Sequence, residues 1–477
     1  MVLIAPGKSN REIAWVWNPA KSGMRNRFHV GRRRGQNPRA VLCACGPVGF
    51  ESACAMVTPD DKPTIRDRLR ALGLAIGLVA LGWLAIEAPN PPAPLSVGSP
   101  PGEFSAERAL THLRVIADRV HPIDSPANAA VCRYLADQLK AVGCEVETQP
   151  FTYGQQGWRG SNVLARLPGR RATNEPAAAV MLVCHHDSVR MGPGASDDGV
   201  AVAALLETAR ALKAGPVLRH DIILLLTDGE EVPEGLPGAQ AFVKSSPWWQ
   251  DVGCVFNFDA RGVSGPELMY ETSAGNGPLI REFSRAVRRP VANSLMCDVY
   301  RHMPNDTDFT VFRQAGMPGL NFAFIGGVEH YHQPSDDLAH VSLSTLQHAG
   351  DLALGLARHF GEVDLTGLRG ADAVYFDLLG RVLVRYPGTW AFPLALAGTV
   401  LFLVVAGQAW KRGEVSGWKL AGAALMWGLI LLLVFALVLG ALWLQAAAVA
   451  RAWKWTLPVT GLAVAAVTVF ISWIRSA

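Results

Sequence analysis

Four short, predominantly apolar runs limit what this chain can fold into. Ala178–Val183, Ile222–Leu226, Val252–Phe258 and Leu320–Ile325 all have the length and character of buried strands. Helical periods fall between them, at Gly199–Lys213, Pro278–Val287 and Leu343–Phe360. Two more helical periods, Ala106–Val120 and Asn128–Val142, precede the first run, and the second of these closes on Gly143, a favoured helix terminator. Strands that alternate with helices are joined by crossovers and lie parallel. Residues 104–365 are therefore expected to form an α/β domain with a mixed, mostly parallel central sheet flanked by helices.

Longer apolar runs bracket that domain. "ALGLAIGLVALGWLAIEA" at Ala71–Ala88 is uncharged until Glu87 and is just long enough to cross a bilayer. Arg66, Arg68 and Arg70 precede it, so residues 66–88 read as a transmembrane anchor with its leading end in the cytoplasm. A cleaved signal peptide is the rival reading. The exit lacks a small-x-small site and Pro89 would follow the cut, which favours the anchor. A juxtamembrane segment at 366–389 leads into three further expected spans, 390–409, 420–444 and 456–474. Lys411, Arg412 and Lys419 fill the loop after the first of these and place it in the cytoplasm, which again leaves the α/β domain outside. The expected location is multi-pass in a bacterial inner membrane, with the lipid bilayer as a partner. A mean hydropathy of +0.20 fits a water-soluble domain joined to several spans. The spans carry no internal ionisable residues that would mark a transport path, so anchoring is the simpler role. Residues 1–65 lack hydrophobic periodicity. They read as disordered, or as an extension upstream of the true start, with Met24 and Met56 as alternative starts.

The formal net charge of +4 is spread along the chain, with no basic stripe interleaved with aromatics, so a nucleic-acid partner is not expected. The 8 cysteines form no CxxC pair, which argues against a zinc finger or a disulfide scaffold. Cys184 and Cys254 lie in strand runs and read as buried thiols. Cys132 and Cys144 are a candidate pair if their segment faces an oxidising compartment.

The polar residues that end the strands carry the chemistry. The first run leads into "CHHDSV", with His185, His186 and Asp187, and then into "GASDDG", with Asp197 and Asp198. The second ends in "TDGEE", with Glu230 and Glu231; the third ends in Asp259; the fourth is followed by "GGVEHYHQPSDD", with His330 and His332. Ligands of open α/β sheets bind outside the carboxyl ends of the strands. Each piece alone has an ordinary reading: Asp197–Asp198 as a helix cap, the glutamate pair as a solvated turn, His332 as a surface histidine. Their joint placement points to a metal. Imidazole nitrogen with carboxylate oxygen suits zinc, and two histidines with three carboxylates suffice for two ions if one carboxylate bridges.

The motifs "CHHDSV", "PGASDDG", "TDGEE", "NFDARG" and "HYHQPSDD" resemble the co-catalytic zinc aminopeptidases, the group that includes bacterial leucyl aminopeptidase and glutamate carboxypeptidase. "NFDARGVSGPELMYETS" and "PNDTDFTVFRQAGMPGLNFAFIG" are most similar to the membrane-anchored branch, that of endoplasmic-reticulum metallopeptidase. The resemblance implies a zinc exopeptidase-like fold, two Zn2+ ions and a peptide substrate. It implies that His185 and Asp259 hold one zinc, Glu231 and His332 the other, and that Asp197 bridges them. Glu230 would be the general base, and Asp187 would orient His185. Zinc lowers the pKa of bound water toward about 7, the nucleophile peptide hydrolysis needs. In this family a free substrate amino terminus docks on one metal, which implies aminopeptidase action. Many soluble members have Ser-Asp-His where this chain has "NDTD"; Asp306 is the residue expected to keep a supporting role.

Two other readings stay open at this level. One is a catalytically silent receptor or scaffold on the same fold. The other is a single-zinc aminoacyl transferase resembling glutaminyl cyclase. Within "CHHDSV", strand alternation projects His185 and Asp187 together and turns His186 away, so His186 is expected to be a bystander.

Overall fold

A computed structural model describes residues 65–170, 178–233, 235–413, 416–418, 421–422 and 425–433. The expected span at 456–474, most of the one at 420–444, and all but the last residue of the 1–65 extension lie outside the described residues. The chain divides into two compact units, Met1–Ala80 and Leu81–Ala477. Helix α1, Ile65–Glu87, is apolar and exposed along its length, and Arg68–Glu87 within it is long and apolar enough to cross a membrane.

The larger unit holds a seven-stranded sheet. Its strands are β1 (Glu145–Tyr153), β2 (Trp158–Leu167), β3 (Ala179–His185), β4 (Asp221–Thr227), β5 (Val252–Ala260), β6 (Leu268–Thr272) and β7 (Gly319–Phe324), in the spatial order β1-β2-β4-β3-β5-β7-β6. The four apolar runs are β3, β4, β5 and β7, and they form the parallel centre. β1, β2 and β6 extend it with antiparallel pairings. The sheet is therefore mixed, with a parallel centre.

Side chains alternate across the central strands. Val180, Leu182, Leu224, Phe256 and Phe322 pack on one face against α2 (Ala106–Ile116), α3 (Pro126–Val142), α4 (Gly199–Lys213), α6 (Gly277–Ala286) and α9 (Leu343–Phe360). Met181, Val183, Leu225 and Val255 face the other way, toward α5 (Pro237–Ser245) and α8 (Asp308–Gln314), where Phe242, Phe309 and Phe312 fill the core. Both faces are covered, which is why the central strands read as continuous apolar runs.

A short helix α7 (Ser294–Tyr300) precedes α8. The segment at 366–389 contains a two-stranded hairpin, β8 (Ala373–Leu378) with β9 (Val382–Pro387). It leads into α10, Ala391–Lys411; Gly388–Lys411 is the second stretch long and apolar enough to cross a membrane, and none of α10 is buried.

Cys132 and Cys144 do not form a disulfide; both are buried free thiols. Cys132 points from α3 toward the Ser161 carbonyl at 3.9 Å. Cys144 lies beyond Gly143, and burial pushes its thiol up to about 11. The turn at Gly143 directs the two side chains to different neighbours.

Candidate metal centre

The parallel strands deliver their polar residues to one edge. His185 closes β3, two residues beyond Val183, and Asp259 lies four beyond Val255, so the two-residue period puts both on the face of α5 and α8. Three loops complete the edge. The loop after β3 turns at Gly194 (φ +64°), where a Cβ would come within 2.6 Å of the Asp197 carbonyl oxygen. Asp336 holds that loop from outside. Its two carboxylate oxygens accept from the backbone N–H of Ser196 at 2.8 Å and of Asp197 at 3.1 Å. The loop after β4 turns at Gly229 (φ +87°). There Asp187 accepts from the backbone N–H of Glu230 at 3.1 Å and of Glu231 at 3.2 Å. After β7 the chain brings in His332, whose backbone is left-handed (φ +58°) and whose ring stacks on Tyr331 at 3.7 Å. A non-glycine residue held there costs on the order of 1–3 kcal/mol, a strain typical of functional sites.

The His185 Nδ1–H donates to the Asp187 carbonyl at 3.1 Å, with the Asp187 carboxylate 3.5 Å away. That partner assigns the tautomer and leaves Nε2 facing Asp197 Oδ1 at 3.2 Å. His332 Nε2 lies 3.0 Å from Glu231 Oε2 and 3.3 Å from Asp197 Oδ2. Among the described residues three three-residue groups result, His185–Asp197–Asp259, Asp197–Glu231–His332 and His185–Glu230–Glu231, each with donor atoms within 4.8 Å of one another. Asp197 belongs to the first two.

The donor set fits divalent zinc. Asp197 Oδ2, Glu231 Oε1 and His332 Nε2 are buried with no aligned hydrogen-bond partner, as atoms awaiting a cation would be. The electrostatics agree. Burial, then the charge of Asp197, pushes Asp259 up to about 7 and Glu231 up to about 8. Burial opposes the charge of Asp197 as well, yet its contacts with His185 and His332 hold it down at about 2. Glu230 is pushed well up by burial and by Asp259. Crowded buried carboxylates destabilise one another's charged forms, and a bound divalent cation reverses that balance.

All seven residues singled out in the sequence meet here: His185, Asp187, Asp197, Glu230, Glu231, Asp259 and His332. Two expectations are corrected. Asp198 is the N-cap residue of α4 but caps no N–H, because its Oδ2 accepts from the His185 backbone N–H at 3.2 Å. Asp306 is exposed; the buried acid of "NDTD" is Asp308, which accepts from the Thr227 hydroxyl beneath the site. Sequence reasoning missed Asp336 and Asp228 as supports. Asp228 accepts from the Ser161 N–H at 2.9 Å and the Asn128 amide at 3.0 Å, tying the glutamate loop to β2 and α3. Asp336 stood within "HQPSDD", but nothing in that run shows which backbone it holds.

His186 is buried, and its Nε2–H donates to the Ser161 carbonyl at 3.1 Å, away from the acids. His186→Phe is expected to lower stability by about 1 kcal/mol, one hydrogen bond, and to leave bound metal and turnover nearly unchanged. His185→Ala should lose a metal. Metal analysis of the two variants side by side checks both outcomes.

The sequence profile of Peptidase family M28 matches residues 162–357, the stretch that contains every donor just described. Endoplasmic reticulum metallopeptidase 1 of Homo sapiens is 30% identical over 70% of this chain and 40% of that protein. Residues 162–357 are thus similar to peptidase family M28. The vacuolar membrane protease of Candida dubliniensis is 28% identical over 63% of this chain and 34% of that protein. The chain thus spans less than half the length of these two relatives. Among solved structures, the aminopeptidase from Aneurinibacillus sp. strain AM-1 is 16% identical, with 57% of this chain and 97% of that one covered and a TM-score of 0.47.

Proposed function

We propose that this chain is a membrane-anchored, zinc-dependent exopeptidase that acts as an aminopeptidase. The observation that carries the reading is the pair of donor groups sharing Asp197, with the Glu230 carboxylate beside them. His185 and Asp259 would hold one zinc, Glu231 and His332 the other, with Asp197 between. Bound zinc would supply Lewis acidity and an activated water near neutral pH.

The chain's own residues do the rest. Glu230 presents a carboxylate oxygen within 4.8 Å of donor atoms on His185 and Glu231. From there it takes a proton from the attacking water and returns it to the leaving amine. Asp187 links two tasks: its carbonyl fixes the His185 ring, and its carboxylate fixes the backbone of both glutamates. A silent scaffold has no need of a complete donor set with a base beside it.

The apolar stretches Arg68–Glu87 and Gly388–Lys411 support membrane anchoring, as do relatives named as an endoplasmic reticulum metallopeptidase and a vacuolar membrane protease. Arg66, Arg68 and Arg70 at the leading end of the first stretch and Lys411 and Arg412 at the end of the second support a peptidase unit on the non-cytoplasmic side.

Chelation is the direct test. A chelator is expected to lower release of the amino-terminal residue from a peptide by more than about tenfold, with recovery on adding zinc. Activity indifferent to chelator would reject the metal, and release only from carboxyl termini would reject the aminopeptidase assignment.

A further inference from the structure

Arg261 lies one ring beyond His332, across Tyr331, and the mechanism above does not use it. It follows β5 by one residue and lies two beyond Asp259, and its backbone N–H is held by the Phe324 carbonyl at 2.9 Å. Its guanidinium donates to the Asn305 side-chain oxygen, with that amide oriented to accept, and lies 5.6 Å from the Tyr331 ring centroid. Tyr331 in turn stacks on His332, with ring centroids 3.7 Å apart. The guanidinium is thus less than about 10 Å from the His332 ring; with about 4 Å taken by an ion-pair contact, the span left is one to two residues of extended peptide.

Several arginines of this unit are paired with acids. Arg313 meets Glu271 at 2.9 Å, and Arg108 meets Glu207 at 2.7 Å. Among the described residues Arg261 meets no carboxylate, although it is half-buried two residues beyond Asp259. The nearby acids are turned toward one another in the donor groups. A guanidinium presents five donors in a planar fork that matches a carboxylate; here both terminal nitrogens reach the Asn305 oxygen, and the Nε–H edge keeps donors for a further acceptor.

We propose that Arg261 determines specificity by binding a substrate carboxylate within about one residue of the scissile bond. The inference rests on the peptidase reading. Two sources supply that group: the free α-carboxylate of a dipeptide, or an acidic side chain next to the cleaved bond. Uncharged substrates gain nothing from Arg261.

The test compares matched substrates on the zinc-loaded full chain. One pair is Ala-Ala against Ala-Ala amide; the other is Ala-Asp amide against Ala-Asn amide. Wild type is expected to prefer the charged member of at least one pair by about tenfold or more in kcat/KM. The pair that shows the preference identifies the source. Arg261→Gln should collapse that ratio to within about threefold, and Arg261→Lys, which keeps a point charge without the fork, should fall between. Because the ratio is taken within one variant, partial loss of folded protein cancels. Hydrolysis without preference in either pair would overturn the proposal and leave the peptidase reading standing. A preference that survives Arg261→Gln would also overturn it, as would an equal loss on charged and neutral substrates, the mark of a structural role. No hydrolysis of any peptide by zinc-loaded wild type would overturn both readings together.

Discussion

Glu230→Gln is expected to lower peptide hydrolysis by about 10²–10⁴-fold, the range for loss of a general base, with zinc content unchanged. Glutamine keeps the size of the side chain and removes its capacity to take a proton. The substitution leaves the loop in place, because the hydrogen bond to Asp187 comes from the backbone N–H of residue 230. Glu230 lies outside the two groups that share Asp197, yet it has donor atoms near those of His185 and Glu231. That second fact makes the metal measurement decisive. A base and a ligand both lose activity on this change, but only a ligand also loses zinc. Retained zinc with collapsed turnover supports the base assignment; full activity rejects it; loss of both moves Glu230 into the ligand set.

The legible part of the fold was the part buried on both sides. β3, β4, β5 and β7 read directly because both faces are covered, and α4 and α9 read residue for residue because each is a long, apolar-rich helical stretch. β1 was silent: "EVETQPFTY" buries a single side chain fully and contains no apolar run. Helices α5, α7 and α8 are 9, 7 and 7 residues long, too short to establish a helical period. The antiparallel pairings of the sheet came from β1, β2 and β6, which the apolar runs did not mark. At the site, the donors were legible because each ends a strand or opens a helix. Their supports were not. Asp336, Asp228 and Asp308 act through hydrogen bonds to residues at least 66 positions away, set by how the loops fold. Asp308 illustrates the difficulty. It is two residues from the exposed Asp306, and only its place at the start of α8 turns it to Thr227.

Asp197→Ala tests the shared centre itself. Asp197 directs Oδ1 at His185 and Oδ2 at His332, so one carboxylate serves both donor groups. Under the two-zinc reading its removal weakens both sites at once, whereas His185→Ala weakens one. The expected outcome is loss of most bound zinc from Asp197→Ala, near one ion retained by His185→Ala, and a fall in turnover of at least about 10³-fold for the former. The loop keeps its anchor, since Asp336 holds residues 196 and 197 through their backbone N–H groups, which alanine keeps. Metal analysis of both variants, with the thermal transition followed in parallel, separates the possibilities. If Asp197→Ala still binds two ions, no carboxylate bridge is needed. If it binds one ion as firmly as His185→Ala does, Asp197 serves one donor group only. Equal loss of zinc from both variants would mean that the two groups fill together or not at all, and the centre would then act as one unit held by His185 as firmly as by Asp197.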